Sequence, residues 1–158
     1  MKASTLREIK SELSHCSKEE LLELCSHLAK FKKENKELLT YLLFEASNEE
    51  GFVSAVKAEV DELFSHINTH SYFYMKKTIR KVLRVIKTNI RYSKNKETEV
   101  ELLLYFCFCL KKLRPSIKHS VLLKNLYNRE LLSIKKKIGA LHEDLQYEYN
   151  LELKELNL

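Results

Sequence analysis

Two glycines and one proline in 158 residues leave this chain few places to turn sharply. A β-sandwich or a Rossmann-type α/β protein needs many tight turns, whereas a helical protein needs few. The scarcity therefore selects the all-α class. We expect seven or eight antiparallel helices joined by short connectors, packed as an irregular bundle or a short HEAT-like αα superhelix. At 18.7 kDa, with 44% hydrophobic and 32% charged residues, the composition is that of one ordinary globular domain spanning residues 1–158. No fixed repeat period is visible at the residue level.

Helix starts are legible from caps. Thr5-Leu6-Arg7-Glu8 and Ser17-Lys18-Glu19-Glu20 fit the capping box, in which hydroxyl and glutamate each satisfy an orphan backbone N–H. The first predicts a short helix with Leu6, Ile9 and Leu13 inward; the second predicts one with Leu21, Leu24, Cys25, Leu28 and Phe31 on one stripe. A third is expected over 35–45, carrying Leu38, Leu39, Leu42 and Leu43. Asn48-Glu49-Glu50 opens a fourth, with acids in the first turn favoured by the helix dipole. Residues 72–92 are expected to form a helix whose apolar face is Tyr72, Met75, Ile79, Val82, Leu83, Ile86 and Ile90. Glu97 and Glu99 open the next, apolar almost all round, and Pro115 ends it. The long periodic run that follows exceeds an ordinary globular helix, so a break is expected near Asn128, with Gly139 as a close-packing position.

Charge is unevenly spread along this pattern. The net charge is +6, yet residues 1–62 carry −4, residues 63–129 carry +12 and residues 130–158 carry −2. Residues 63–96 contain no acid at all. Lys76, Lys77, Arg80, Lys81, Arg84, Lys87 and Arg91 fall opposite the apolar arc of the helix over 72–92. The basic face over residues 76–96 thus predicts an anionic partner, either nucleic acid or an acidic protein surface, whose binding would weaken with salt. The opposing expectation is a solvated face, or one neutralised by acids of the first 62 residues. Helix-turn-helix, RNA-recognition and zinc-finger signatures are missing from the sequence.

The remaining chemistry is sparse. His66 and His70 are four apart, a spacing that serves metal if the helix continues that far, but Ile67-Asn68-Thr69 lies between them rather than the glutamate of a zinc-protease motif. His142, Asp144 and Tyr147 form a candidate functional cluster able to move protons, with neither nucleophile nor phosphate loop beside them. An enzyme or metal protein centred on His142 or on His66/His70 is the alternative reading. Cys16, Cys25, Cys107 and Cys109 form no CxxC pair and are expected as buried thiols in a reducing cytoplasm. The longest apolar run, residues 102–110, is too short to span a bilayer, so no membrane partner is expected. Leu145, Tyr149, Leu153 and Leu156 continue a stripe toward the chain end and offer a homo-oligomer contact through the C-terminal helix.

Two segments, Leu13-Ser14-His15-Cys16-Ser17-Lys18-Glu19-Glu20-Leu21-Leu22-Glu23-Leu24 and Ile138-Gly139-Ala140-Leu141-His142-Glu143-Asp144-Leu145-Gln146-Tyr147-Glu148-Tyr149, resemble a family of small bacterial all-helical proteins catalogued as a domain of unknown function. That family has an LSKEEL-like opening and a closing GxxH[DE]xL-like segment. The resemblance implies an all-helical fold and brings no activity or cofactor with it. The sequence therefore predicts a cytoplasmic, non-enzymatic interaction or scaffold protein that uses no cofactor and no metal.

Overall fold

The structure, a computed structural model, describes residues 1–156, and these are helical with no strand. The described residues contain eight α-helices: α1 Leu6–Leu13, α2 Lys18–Phe31, α3 Lys33–Thr40, α4 Glu49–Ser65, α5 Tyr72–Ser93, α6 Lys96–Lys112, α7 Val121–Ile138 and α8 Glu143–Glu155. A π-helical turn, Tyr41–Glu45, follows α3, and a 3-10 turn, Ile117–His119, precedes α7. None of the helices is long and apolar enough to cross a membrane among the described residues. The chain divides into two compact units, residues 1–44 and 45–158.

In the first unit both capping boxes form as the sequence predicts. Glu8 and Glu20 each accept the N–H of the cap residue, Thr5 or Ser17, at 2.7 Å. Helices α2 and α3 pack side by side, and Asn35 Nδ2 donates to the Leu28 carbonyl at 2.9 Å. The expected core is not there: α1, α2 and α3 bury no residue, and Leu6 is 81% exposed. Ile9, Leu13, Leu24, Leu28, Phe31, Leu42 and Leu43 are exposed as well. An amphipathic pattern says which face is apolar, not that a neighbour covers it.

The second unit holds the core. Its helices meet through contacts at a nearly constant sequence offset. Lys57 pairs with Glu101 at 2.6 Å and Tyr105 donates to Asp61 at 2.6 Å, both across 44 residues, so α4 and α6 run parallel. Tyr72 donates to the Ser116 carbonyl across 44 residues and Lys87 to Glu130 across 43, so α5 and α7 are parallel too. Glu49, at the start of α4, accepts from Ser93 at the end of α5, and Lys137, at the end of α7, pairs with Glu99 at the start of α6. Successive helices are therefore antiparallel. The unit is a two-layer stack with α4, α6 and α8 in one layer and α5 and α7 in the other.

This architecture carries a repeat the residue pattern hides. The caps of α4, α6 and α8 are Asn48, Asn95 and His142, spaced by 47 residues at each step, and each accepts from a first-turn N–H. The same shift superposes Val53 on Val100, Val56 on Leu103 and Val60 on Cys107, all buried. A spacing of this size belongs to helix-pair repeat arrays. The matching positions share size and burial rather than identity.

Three expectations need correction here. Helix α7 passes through Asn128 unbroken, because Leu126, Tyr127 and Glu130 around it are held in the core; the chain turns instead at Gly139-Ala140-Leu141. Gly139 is an exposed helix cap where an added Cβ would meet only ordinary contacts, so it is no close-packing position. Of the four cysteines only Cys107 is buried; Cys25 is exposed, while Cys16 and Cys109 are intermediate.

Candidate polyanion-binding face

Helix α5 is the most strongly two-sided element of the second unit. Met75, Ile79, Val82 and Ile86 are wholly buried, with Leu83 and Ile90 nearly so, as the spacing predicts. Each fully buried side chain of this kind contributes up to roughly 1.5–3 kcal/mol, so the face opposite is displayed on a rigid support. The Tyr72 hydroxyl, 2.8 Å from the Ser116 carbonyl, fixes one end of the helix. Lys94, in the left-handed conformation at φ 56°, closes the other.

The cations occupy three environments. Lys77, Arg80, Lys81 and Arg84 are exposed, and among the described residues no carboxylate pairs with any of them. Lys76 is half-buried, with its Nζ 6.0 Å from the centre of the Phe73 ring. Lys87 turns inward and binds both oxygens of Glu130 on α7, whose side chain is 2% exposed. Arg91 is exposed and its guanidinium donates to the Thr88 hydroxyl at 3.4 Å. The face is thus mostly open, with one of its lysines committed to holding α5 against α7.

Two features escape the sequence pattern. The first is a pair of exposed aromatics at the head of the cation row: Phe73 is 68% exposed and Tyr74 49%, their rings edge-to-face at 5.5 Å. Three consecutive aromatics, Tyr72 to Tyr74, cannot share one helical face at 100° per residue, and that was the available signal. The second is a widening of the row by α7. Arg129 lies 3.5 Å from the same Glu130 that Lys87 holds, and exposed Lys136 stands two turns further along the same stripe of α7. Nothing in the sequence joins Arg129 to Lys87 before Glu130 is seen between them.

The other candidate residues are placed as follows. His66 ends α4, its Nδ1 2.8 Å from the Glu62 carbonyl, while His70 lies beyond the helix in the connector; the two do not share a helical face. His142 caps α8, its Nδ1 accepting the Asp144 N–H at 3.5 Å with the Asp144 carboxylate 3.4 Å away. Tyr147 is 69% exposed on the next turn, so the cluster stands open to water. Among the described residues no three His, Cys, Asp or Glu side chains gather as metal ligands. Burial pushes the Cys107 thiol up to about 12 and, with the Asp61 carboxylate beside it, the Cys109 thiol up to about 11. Neither is thereby prepared as a nucleophile. Comparison of the chain with protein-family models, with curated proteins and with solved structures finds no match.

Proposed function

We propose that this protein is a non-enzymatic binding module of the cytoplasm whose α5 face docks on the backbone of single-stranded nucleic acid. The observation that carries the reading is the uncompensated row Lys77, Arg80, Lys81 and Arg84, open to solvent on a helix whose other side is buried. Arg80 and Arg84 are one helical turn apart, about 6 Å along the axis, so successive guanidiniums can follow successive phosphates. Phe73 and Tyr74 favour single strands, since exposed rings beside cations provide a surface on which unpaired bases stack. No base-reading motif accompanies them, so recognition is of backbone and stacking rather than of sequence. The cytoplasmic assignment rests on the four thiols, none of which is in a disulfide.

Fluorescence anisotropy at about 50 mM salt, using labelled single-stranded DNA and RNA, duplex DNA and polyglutamate, tests the reading. Single strands are expected to bind. The Arg80→Glu/Arg84→Glu double variant should abolish binding while keeping its helical circular dichroism, and Phe73→Ala should weaken single strands by about 1–3 kcal/mol. Binding to polyglutamate alone would replace nucleic acid by an acidic protein. Absence of any binding would remove the polyanion altogether.

A further inference from the structure

The stripe of α8 that the sequence offers for self-association is already covered: Tyr149 and Leu156 are buried, with Leu145 and Leu153 half-buried. The two layers of the second unit offer a different contact, because their charges are opposite. Helices α5 and α7 carry twelve Lys or Arg residues and one acid, Glu130, a net charge of +11. Helices α4, α6 and α8 carry five Lys or Arg residues and thirteen acids, a net charge of −8. The stack is cationic on one broad face and anionic on the other.

Part of the acidic layer is neutralised from within. Glu101 pairs with Lys57, Glu99 pairs with Lys137, and Asp61 accepts from Tyr105. Glu148, Glu152 and Glu155 on α8 are exposed, and among the described residues no cation pairs with their carboxylates. At i, i+4 and i+7 they form one stripe about 10 Å long. Glu152 is raised above the usual glutamate range first by burial and then by Glu101; Glu155 and Glu148 add to this and Lys57 opposes it, so the stripe repels itself. The stripe belongs to the outer face of the layer rather than to its edge. The same positions 47 residues earlier, on α6, are Glu101, Tyr105 and Phe108. Phe108 is 44% exposed and the Glu101 side chain 36%, although α4 and α8 both pack against α6.

We propose that the acidic face of one copy docks on the α5 face of a second copy, so that copies stack face to back. Lys77, then Arg80 or Lys81, then Arg84 recur at the same helical interval as the three glutamates. Two stripes of equal length and opposite sign can therefore lie along each other. The contact is heterologous: it joins two different surfaces, and each added copy presents an unused face to the next. Assembly is open-ended rather than a closed dimer. Exposed ion pairs are weak, and the net charge of +6 opposes association. The stack therefore needs low salt, where a Debye length of about 30 Å at about 0.01 M lets whole faces attract. Stacking hides the cation row, so it competes with nucleic acid. That regulatory consequence rests on the proposed function, whereas the contact itself does not.

Sedimentation equilibrium of the 158-residue chain from about 10 μM to about 1 mM, in about 10 mM and about 150 mM salt, tests it. In low salt the weight-average mass should rise with concentration without levelling at a dimer, and it should return to 18.7 kDa in the higher salt. Arg80→Gln/Arg84→Gln and Glu148→Gln/Glu152→Gln should each fall back toward the monomer mass. Mixed in equal amounts, the two variants should form an equimolar pair and stop there, since the first keeps its acidic stripe and the second its basic row. Both keep a positive net charge, so attraction between oppositely charged proteins does not account for the pairing. All four positions are exposed, and circular dichroism checks that each variant remains folded. A single-stranded oligonucleotide that binds α5 should dissolve the stack. A monomer at every concentration in low salt overturns the proposal. So do variants that assemble alone like the wild type, a mixture that stays unpaired, or a stack that persists with the oligonucleotide bound. If no oligonucleotide binds, the proposed function falls by itself, and the paired variants still decide the stack.

Discussion

Lys87 Nζ stands 3.0 Å from one oxygen of Glu130 and 3.1 Å from the other, joining α5 to α7 through a carboxylate that is almost fully buried. The same carboxylate touches Arg129 at 3.5 Å. A buried acid held by two cations is expensive to orphan. Lys87→Ala should therefore destabilise the protein by about 1–3 kcal/mol, read as a lower urea midpoint at unchanged slope, the figure being held down because Lys87 itself is half-exposed. Arg84→Ala, one turn away and exposed, should change stability by less than about 0.5 kcal/mol. Equal effects from the two would mean the pair does not join the helices.

The first unit should be the less protected one. Helices α1 to α3 bury no residue, whereas Ile79, Val82, Ile86, Leu102 and Phe106 are wholly buried. Backbone hydrogen exchange is expected to be fast across residues 1–44 and slowest in α5 and α6. Protection of α1 matching that of α6 would show that its leucines are covered in solution.

Thiol reactivity follows burial. Cys25 is exposed and should react with an aromatic disulfide reagent in the folded protein. Cys107 is buried with its thiol pushed up to about 12, and should react only after denaturation. Counting thiols modified at pH 8 before and after adding denaturant checks this. Labelling of Cys107 in the native state would contradict the packing of α6.

Two groups of carboxylates should respond to acid in opposite directions. Glu8 and Glu20 are held below the usual glutamate range by the cap N–H groups of Thr5 and Ser17, so their contribution is present at neutral pH and lost as pH falls through the lowered values. Glu152 is raised, first by burial and then by Glu101, so its ionised form costs stability at neutral pH and protonation relieves that cost. Glu152→Gln should stabilise slightly at pH 7, within about 0.5 kcal/mol, and this gain should vanish as the wild-type glutamate protonates. Thermal melts of both proteins from pH 7 to pH 4 measure it. A gain that persists at low pH would remove the electrostatic explanation.

Much of the second unit was legible before its structure. The inward face of α5 and the helix over 96–112 follow from period and cap chemistry, which act within a few residues, and so do the two capping boxes of the first unit. The first unit was misread because Leu6, Ile9 and Leu13 have the spacing of a core face yet stay exposed, and spacing is blind to what covers a face. The turn at Gly139 was overlooked in favour of Asn128, a polar residue that sits comfortably on the exposed side of α7. The repeat stayed hidden because it lives in caps and in small aliphatic positions such as Val53 and Val100. For the candidate face, the cations could be named from sequence, but which of them remain open could not. That depends on Glu130, 43 residues from the lysine it holds.

The salt dependence of single-strand binding tests the central claim most directly. Neutralising about four phosphates with Lys77, Arg80, Lys81 and Arg84 should give a slope of log affinity against log salt near −3, and Arg80→Gln/Arg84→Gln should flatten it by about 1.4. A slope near zero, or one the double variant leaves unchanged, would contradict an open cationic row on α5 as the binding surface.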